Sequence, residues 1–233
     1  IVQTCANGIE ALNILEEYMP DLIISDIMMP EMRGDELCTK LKNDIATSHI
    51  PIMLLTALSH EQEIINGLEC GDEYMAKPFS IGILRKTIAG LLANRERVYK
   101  KLASMELFDE GERIEDVKCT NSLDWKFIST VRKEVEKHMS DPDFNVDKLC
   151  DLLAMSRTSF HNKLRALTGQ SPGDYVRHIR LDYAKKMLHE EKYTITEISD
   201  MTGFSDVKYF REVFKKHFHI SPSEYRKQIT QNS

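Results

Sequence analysis

No apolar run in this chain approaches the ~20 residues that a helix needs to cross a bilayer. No charged segment followed by an apolar stretch and a cleavage site opens it either. The residues call for no membrane contact, and a cytoplasmic protein is the expectation. Cysteine is sparse: Cys5, Cys38, Cys70, Cys119 and Cys150 form no CxxC pair, and an odd count is a poor basis for a disulfide framework. They read as reduced thiols. The eight histidines show no metal-ligand spacing, and His217 and His219 read as surface or cap residues. An initiating Met is also missing, and residues 1–3 read as a strand already under way, so a piece of a longer chain is expected.

Charge divides what is there. Residues 1–92 carry 6 Lys and Arg against 14 Asp and Glu, residues 93–124 carry 6 against 8, and residues 125–233 carry 19 against 15. An acidic front joined to a basic back points to a regulatory or catalytic module followed by one that meets a polyanion. The length suits two domains at roughly 100–200 residues each. The expected boundaries are 1–93, a helical extension and linker over 94–124, and 125–233.

The front half alternates its period. Residues 22–25 (LIIS) and 51–56 (PIMLLT) are short apolar runs, as in strands buried on both faces, and Tyr74, Met75 and Ala76 form a third. Between them, residues 8–18, the stretch around Leu37 and Leu41, and that around Ile64, Ile65 and Leu68 have helical spacing. Ser80 is placed to cap a last helix with Ile83, Leu84, Ile88, Leu91 and Leu92 inward. Strands alternating with helices predict an α/β doubly wound parallel sheet, whose chemistry sits at the carboxyl ends of its strands. Asp26, Thr56 and Lys77 are the polar residues at or just beyond three such ends. A carboxylate nucleophile, a hydroxyl donor and a cation there make a functional-site geometry. Taken singly, each has a plainer reading: Asp26 as a turn cap, Thr56 as a helix cap, Lys77 as a snorkelling surface residue.

The segments DLIISDIMMPEMRGDEL, PIMLLTAL and EYMAKPF resemble the phosphoacceptor, threonine and lysine segments of two-component response-regulator receiver domains, over about residues 1–93. The resemblance implies a flavodoxin-like fold with its first strand and helix missing. It implies that Asp26 takes a phosphoryl group from a phosphohistidine, that Thr56 donates a hydrogen bond to it, and that Lys77 neutralises it. Tyr74 matches the family's switch aromatic, and the Lys77–Pro78 bond is often cis there. Mg²⁺ is the family's cofactor, held by Asp26, the Met28 backbone carbonyl and an acidic pair that this chain lacks. The stretch before the last strand is one residue shorter than the family spacing. The rival use of a strand-end aspartate, a haloacid-dehalogenase type of phosphatase, needs a second Asp two positions on, where this chain has Met28.

The back half repeats itself. Ser171, Pro172, Gly173, Asp174, Tyr175 recurs fifty residues later as Ser221, Pro222, Ser223, Glu224, Tyr225, each with a Ser cap, Pro at the first helical position and an acid at the third. Phe160 and Leu164 pair with Phe210 and Phe214 at the same offset, which makes two copies of one unit. In each copy two helices meet at a tight turn, capped by Asn145 and Ser156 in the first and by Thr194 and Ser205 in the second, with Gly169 and Gly203 at breaks. The second helix of each pair is basic, through Arg157, Lys163 and Arg165, then Lys208, Arg211, Lys215 and Lys216. The helix joining the copies has an inward stripe of Val176, Ile179, Tyr183 and Met187. An all-α, double helix-turn-helix domain follows.

TITEISDMTGFSDVKYFREVFKKHFHISPSEYRK resembles the second helix-turn-helix signature of the AraC/XylS DNA-binding domain, a likeness that spans about residues 125–230. Val207 stands where that family often has proline, and His219 where it often has glycine. The resemblance implies double-stranded DNA as partner. Base and phosphate contacts would come from Arg157, Thr158, His161, Asn162 and Lys163, and from Val207, Lys208, Arg211, Glu212 and Lys215. Together the halves resemble the carboxyl-terminal end of hybrid two-component regulators, in which a sensor and histidine kinase precede the receiver. The expectation is a phosphorylation-controlled transcription regulator, homodimeric through its receiver, partnered by a histidine kinase domain and without catalytic turnover of its own in these residues. The alternative is a receiver that dimerises without phosphorylation and drives a constitutive DNA binder.

Overall fold

Helical and extended segments alternate along the first half of the computed structural model, which describes residues 1–57, 70–104, 122–190 and 192–232. The chain divides into two compact units, one holding Ile1–Ser104 and the other Ile128–Arg165 with Gln170–Ser233. In the first, α1 (Gly8–Glu17) starts at Asn7, whose side chain accepts from the Glu10 N–H. Then come β1 (Ile23–Asp26), α2 (Gly34–Asn43), β2 (Ile52–Ala57), β3 (Glu73–Lys77) and α3 (Ile81–Ser104). The helix expected around residues 64–68 lies outside the described residues.

The three strands are parallel in the order β1-β2-β3, with Asp26 beside Leu55 and Thr56 beside Ala76. Ile52 and Leu54 of the central strand join Ile27, Met32, Leu37, Cys38 and Leu41 in one apolar cluster, against which Ala11, Leu12 and Leu15 of α1 pack. Met53, pointing to the opposite face by the period of two, is buried as well. A half-buried ion pair pins the start of β2. Asp72 accepts from Lys42 Nζ at 2.6 Å and from the Ile52 N–H at 2.7 Å, so the amide that opens the strand is satisfied by a charge-paired carboxylate.

Two expectations need correcting here. Residues 1–5 form no strand, and Ile1 and Val2 are exposed, because they pair with no strand edge. Ser80 does cap α3 through the Ile83 N–H at 3.2 Å. Leu84, Ile88 and Leu91 are half-buried, but Ile83 is 60% exposed and Leu92 37%. Both sit off the packed stripe of the helix.

From Ser122 on, the described chain is helical: α4 (Ser122–Lys137), α5 (Val146–Leu152), α6 (Arg157–Thr168), α7 (Pro172–His189), α8 (Ile195–Met201), α9 (Val207–Phe218) and α10 (Pro222–Asn232). Ser171 caps α7, and Thr194 with Glu197 forms a reciprocal capping box on α8. Ser205 is not the cap of α9. Asp206 is, accepting from the Lys208 and Tyr209 N–H groups, and it occupies the place that Ser156 fills before α6. The second copy's turn, residues 202–206, is one residue longer than the first copy's, residues 153–156, which shifts the capping position.

The joining helix α7 buries more than the expected stripe. Val176 and Ile179 are buried and Tyr183 and Met187 half-buried, while Leu181, Ala184 and Leu188 enter the core of the second copy with Ile198, Phe204, Phe210 and Phe214. A helix shared by two repeats has to bury two faces. Arg180, in the middle of it, is buried too. Its guanidinium donates to the Gly203 carbonyl at 2.9 Å and the Asp141 carbonyl at 2.8 Å, tying the second copy's turn to the loop before α5.

Candidate phosphoacceptor site and nucleic-acid interface

The parallel register brings Asp26, Thr56 and Lys77 to the same end of the sheet. Asp26 closes β1, Thr56 is the penultimate residue of β2, and Lys77 closes β3. Lys77 Nζ donates to Asp26 Oδ2, and the pair stays partly open to solvent. The Met28 N–H lies 3.4 Å from the other carboxylate oxygen, with the Met28 side chain itself exposed. Thr56 is buried, and its hydroxyl donates to the Ala57 carbonyl at 3.3 Å. The Lys77–Pro78 bond is cis.

The loop after Asp26 is set by close backbone approach. The Gly34 N–H donates to the Ile27 carbonyl at 3.0 Å. A Cβ on Gly34 would stand 2.0 Å from the Asp26 carbonyl oxygen and 2.8 Å from Ser25 Oγ, so only glycine fits. Chemically the site offers one carboxylate oxygen toward solvent and a lysine that can hold a phosphoryl charge. Tyr74 turns inward. Its hydroxyl accepts from the Gly71 N–H at 3.0 Å and lies 3.8 Å from Cys70 Sγ, and burial pushes its phenol above the ordinary range.

The receiver fold implies Mg²⁺. Asp26 and the Met28 carbonyl are the donors the resemblance leads one to expect, but among the described residues the one group of three or more His, Cys, Asp or Glu side chains within metal-binding reach lies elsewhere. The residues present around Asp26 therefore do not complete a Mg²⁺ site.

The cysteines, scattered in sequence, are not all apart in space. Cys38 of α2 and Cys70 before β3 share a hydrogen bond, which lowers the Cys70 thiol below its ordinary value and raises that of Cys38. No spacing motif signals that pair.

In the second unit, the faces of α6 and α9 opposite the buried phenylalanines carry matching stripes. Thr158, His161, Asn162 and Arg165 stand at i, i+3, i+4 and i+7, and Lys208, Arg211, Glu212 and Lys215 repeat them fifty residues on. Thr158, Arg165 and the four residues of the second stripe are exposed, while His161 and Asn162 are half-buried. Val207 is half-buried at the first position of α9. Arg157 is exposed and pairs with Asp147 at 3.0 Å, a surface ion pair of small worth. Lys163 is the correction: it is buried, at the position that Val213 takes in the other copy, so Arg165 supplies the charge of the α6 stripe.

A group that sequence reasoning missed is the trio His178, Asp182 and His217. Its donor atoms lie within 4.8 Å of one another. Two of the three, four residues apart on α7, could have been found by their helical spacing; His217 comes from a distant segment.

Residues 1–89 match the response regulator receiver domain family, and residues 149–228 match a helix-turn-helix domain family. Over 227 residues the chain is 39% identical to a histidine kinase of Formosa agariphila, a match that covers 97% of this chain and 16% of that protein. It is 26% identical over 233 residues to the transcriptional regulatory protein HptR of Staphylococcus aureus, covering 97% of this chain and 87% of that one. The crystal structure of the receiver domain of a signal transduction histidine kinase from Syntrophus aciditrophicus shares 41% identity, covers 39% of this chain and 70% of that chain, and gives a TM-score of 0.38. No described helix is long and apolar enough to cross a membrane. Together the two matches show a receiver domain of the response regulator family joined in one chain to an AraC-type helix-turn-helix domain.

Proposed function

We propose that Asp26 is the phosphoryl acceptor of a two-component relay and that its modification tunes DNA binding by the two recognition helices, α6 and α9. The observation that carries the reading is the meeting of Asp26, Thr56 and Lys77 at one end of three neighbouring parallel strands. A histidine kinase is the donor. The carboxylate attacks the phosphorus of the phosphohistidine, the P–N bond breaks, and histidine leaves as an acyl phosphate forms. Lys77, already on Asp26, shifts to the phosphoryl oxygens, and Thr56 turns its hydroxyl toward them.

Downstream, α7 holds both copies rigidly, so that α6 and α9 enter successive major grooves on one DNA face, about 34 Å apart. Lys208, Arg211 and Lys215 meet phosphate or guanine, Asn162 suits adenine, and Glu212 suits cytosine. Pairing of two receivers is supported by the exposed apolar side chains of Ile81 and Leu92, which lie on one side of α3. Those same side chains favour the second reading, in which the receiver dimerises without phosphorylation.

Incubating the full-length protein with a labelled phosphohistidine donor tests the first reading. Acid-stable label is not expected; hydroxylamine-labile label is, and Asp26→Asn should remove it. Label that persists in Asp26→Asn would overturn the assignment.

A further inference from the structure

We infer that His178, Asp182 and His217 form a binding site for a borderline divalent transition ion of the Zn²⁺ class, bridging the joining helix to the second recognition helix. The site lies within the second unit and is independent of the phosphoacceptor reading. His178 and Asp182 lie one helical turn apart on α7, which stacks their side chains on the same face. His178 Nε2 is 3.2 Å from Asp182 Oδ2. Two donors held at about 2.1 Å by a tetrahedral ion stand about 3.4 Å apart, so this pair is already at ligand spacing.

The third donor comes from α9. The His217 ring meets that of His178 edge-on, with centroids 4.8 Å apart, and all three donor atoms fall within 4.8 Å. A small rotation of the exposed His217 side chain closes the set. A histidine and carboxylate on one helix need no ion to explain them, but a second imidazole from another helix meets them edge-on, with no hydrogen bond of its own among the described residues. Two imidazoles and one carboxylate suit Zn²⁺, Co²⁺ or Ni²⁺ better than Mg²⁺, and three protein donors leave a position for water.

The surroundings fit. His178 and His217 border a cleft of about 460 Å³ that gives an ion a way in. Burial, then the neighbouring His178, holds the His217 imidazole below its ordinary value. Arg177 and Lys216 also line the cleft and oppose a cation, but Arg177 is turned onto Asp174 at 2.7 Å. Asp182 is buried and supplies the offsetting charge.

An ion here would fasten the last turn of α9 to α7 and so set the angle at which Lys208, Arg211 and Lys215 are presented. The test is titration of the full chain with ZnCl₂, followed by calorimetry and thermal unfolding, with CoCl₂ as a spectroscopic probe. One ion should bind saturably, raise the unfolding temperature reversibly with EDTA, and give a Co²⁺ d–d band of low coordination number. His217→Gln, at an exposed position, and His178→Gln should each weaken binding by at least about tenfold and abolish the band. Zn²⁺ bound equally well by both variants would assign the uptake to other groups, such as the cysteines, and overturn the inference. So would the absence of saturable binding.

Discussion

The acceptor role proposed for Asp26 requires a carboxylate open to solvent and a backbone held still, and the side chain is partly exposed. Gly34 is the key to the second condition. Gly34→Ala drives a Cβ into the Asp26 carbonyl, so the loop has to move, and a loss of more than ~2 kcal/mol is expected from urea unfolding of the receiver. An unchanged midpoint would show that the approach is not needed. His219 offers the opposite experiment. It holds φ at +61°, at the helix end where the first copy has Gly169 at +71°. An L side chain there costs about 1 kcal/mol, so His219→Gly should raise stability by about that much. The sequence shows this conflict openly, since the duplicate supplies its own control. Asp26, Thr56 and Lys77 are also legible, each being a polar residue closing an apolar run. Lys163 misleads because charge alone does not reveal helical phase; its counterpart Val213 does. The trio around His178 stays hidden because 35 residues separate Asp182 from His217 and only the packing of α9 on α7 joins them.

Helix ends carry the pH dependence of the second unit. The Asp206 carboxyl lies below its ordinary value because the Tyr209 and Lys208 N–H groups donate to it, and the Glu197 carboxyl does so through the Thr194 backbone N–H. The Glu224 carboxyl is lowered first by the Ser221 hydroxyl. A carboxyl whose folded value is depressed adds stability that is complete above its unfolded value, near 4 for Asp. That stability drains away as pH falls through the depressed folded value. Asp206→Asn keeps the cap, since Asn accepts as well, but does not titrate. Its unfolding midpoint should match the parent protein at pH 7 and fall less steeply between about pH 5 and pH 3. An equal acid slope would place the dependence elsewhere. Elements with clear period and caps, such as α8 with its Thr194 and Glu197, are legible in the residues themselves. The outward turn of Ile83 and Leu92 is not, because an apolar residue on a helix does not say which surface will cover it. Nor is the lack of a strand over residues 1–3, since pairing depends on a neighbour that the pattern cannot supply.

At the level of the chain, an acidic sheet unit is joined to a basic helical one, and the account is that chemistry on the first governs contact by the second. The two recognition stripes are not equally charged. The second has Lys208, Arg211 and Lys215, whereas the first has Arg165 alone beside Thr158, His161 and Asn162. DNA affinity should therefore fall steeply with salt, and replacing Lys208 by Ala should lower the slope of log affinity against log salt by about 1 if it contacts phosphate. The matching change at Thr158 should leave the slope alone, and a slope unaltered by Lys208→Ala would remove that residue from the interface. The most direct test of the coupling is the DNA affinity of the full-length protein before and after phosphorylation, at fixed salt, beside the Asp26→Asn variant. Phosphorylation is predicted to change affinity in the parent and leave Asp26→Asn unmoved. Equal affinity in all four samples would contradict control of DNA binding by Asp26.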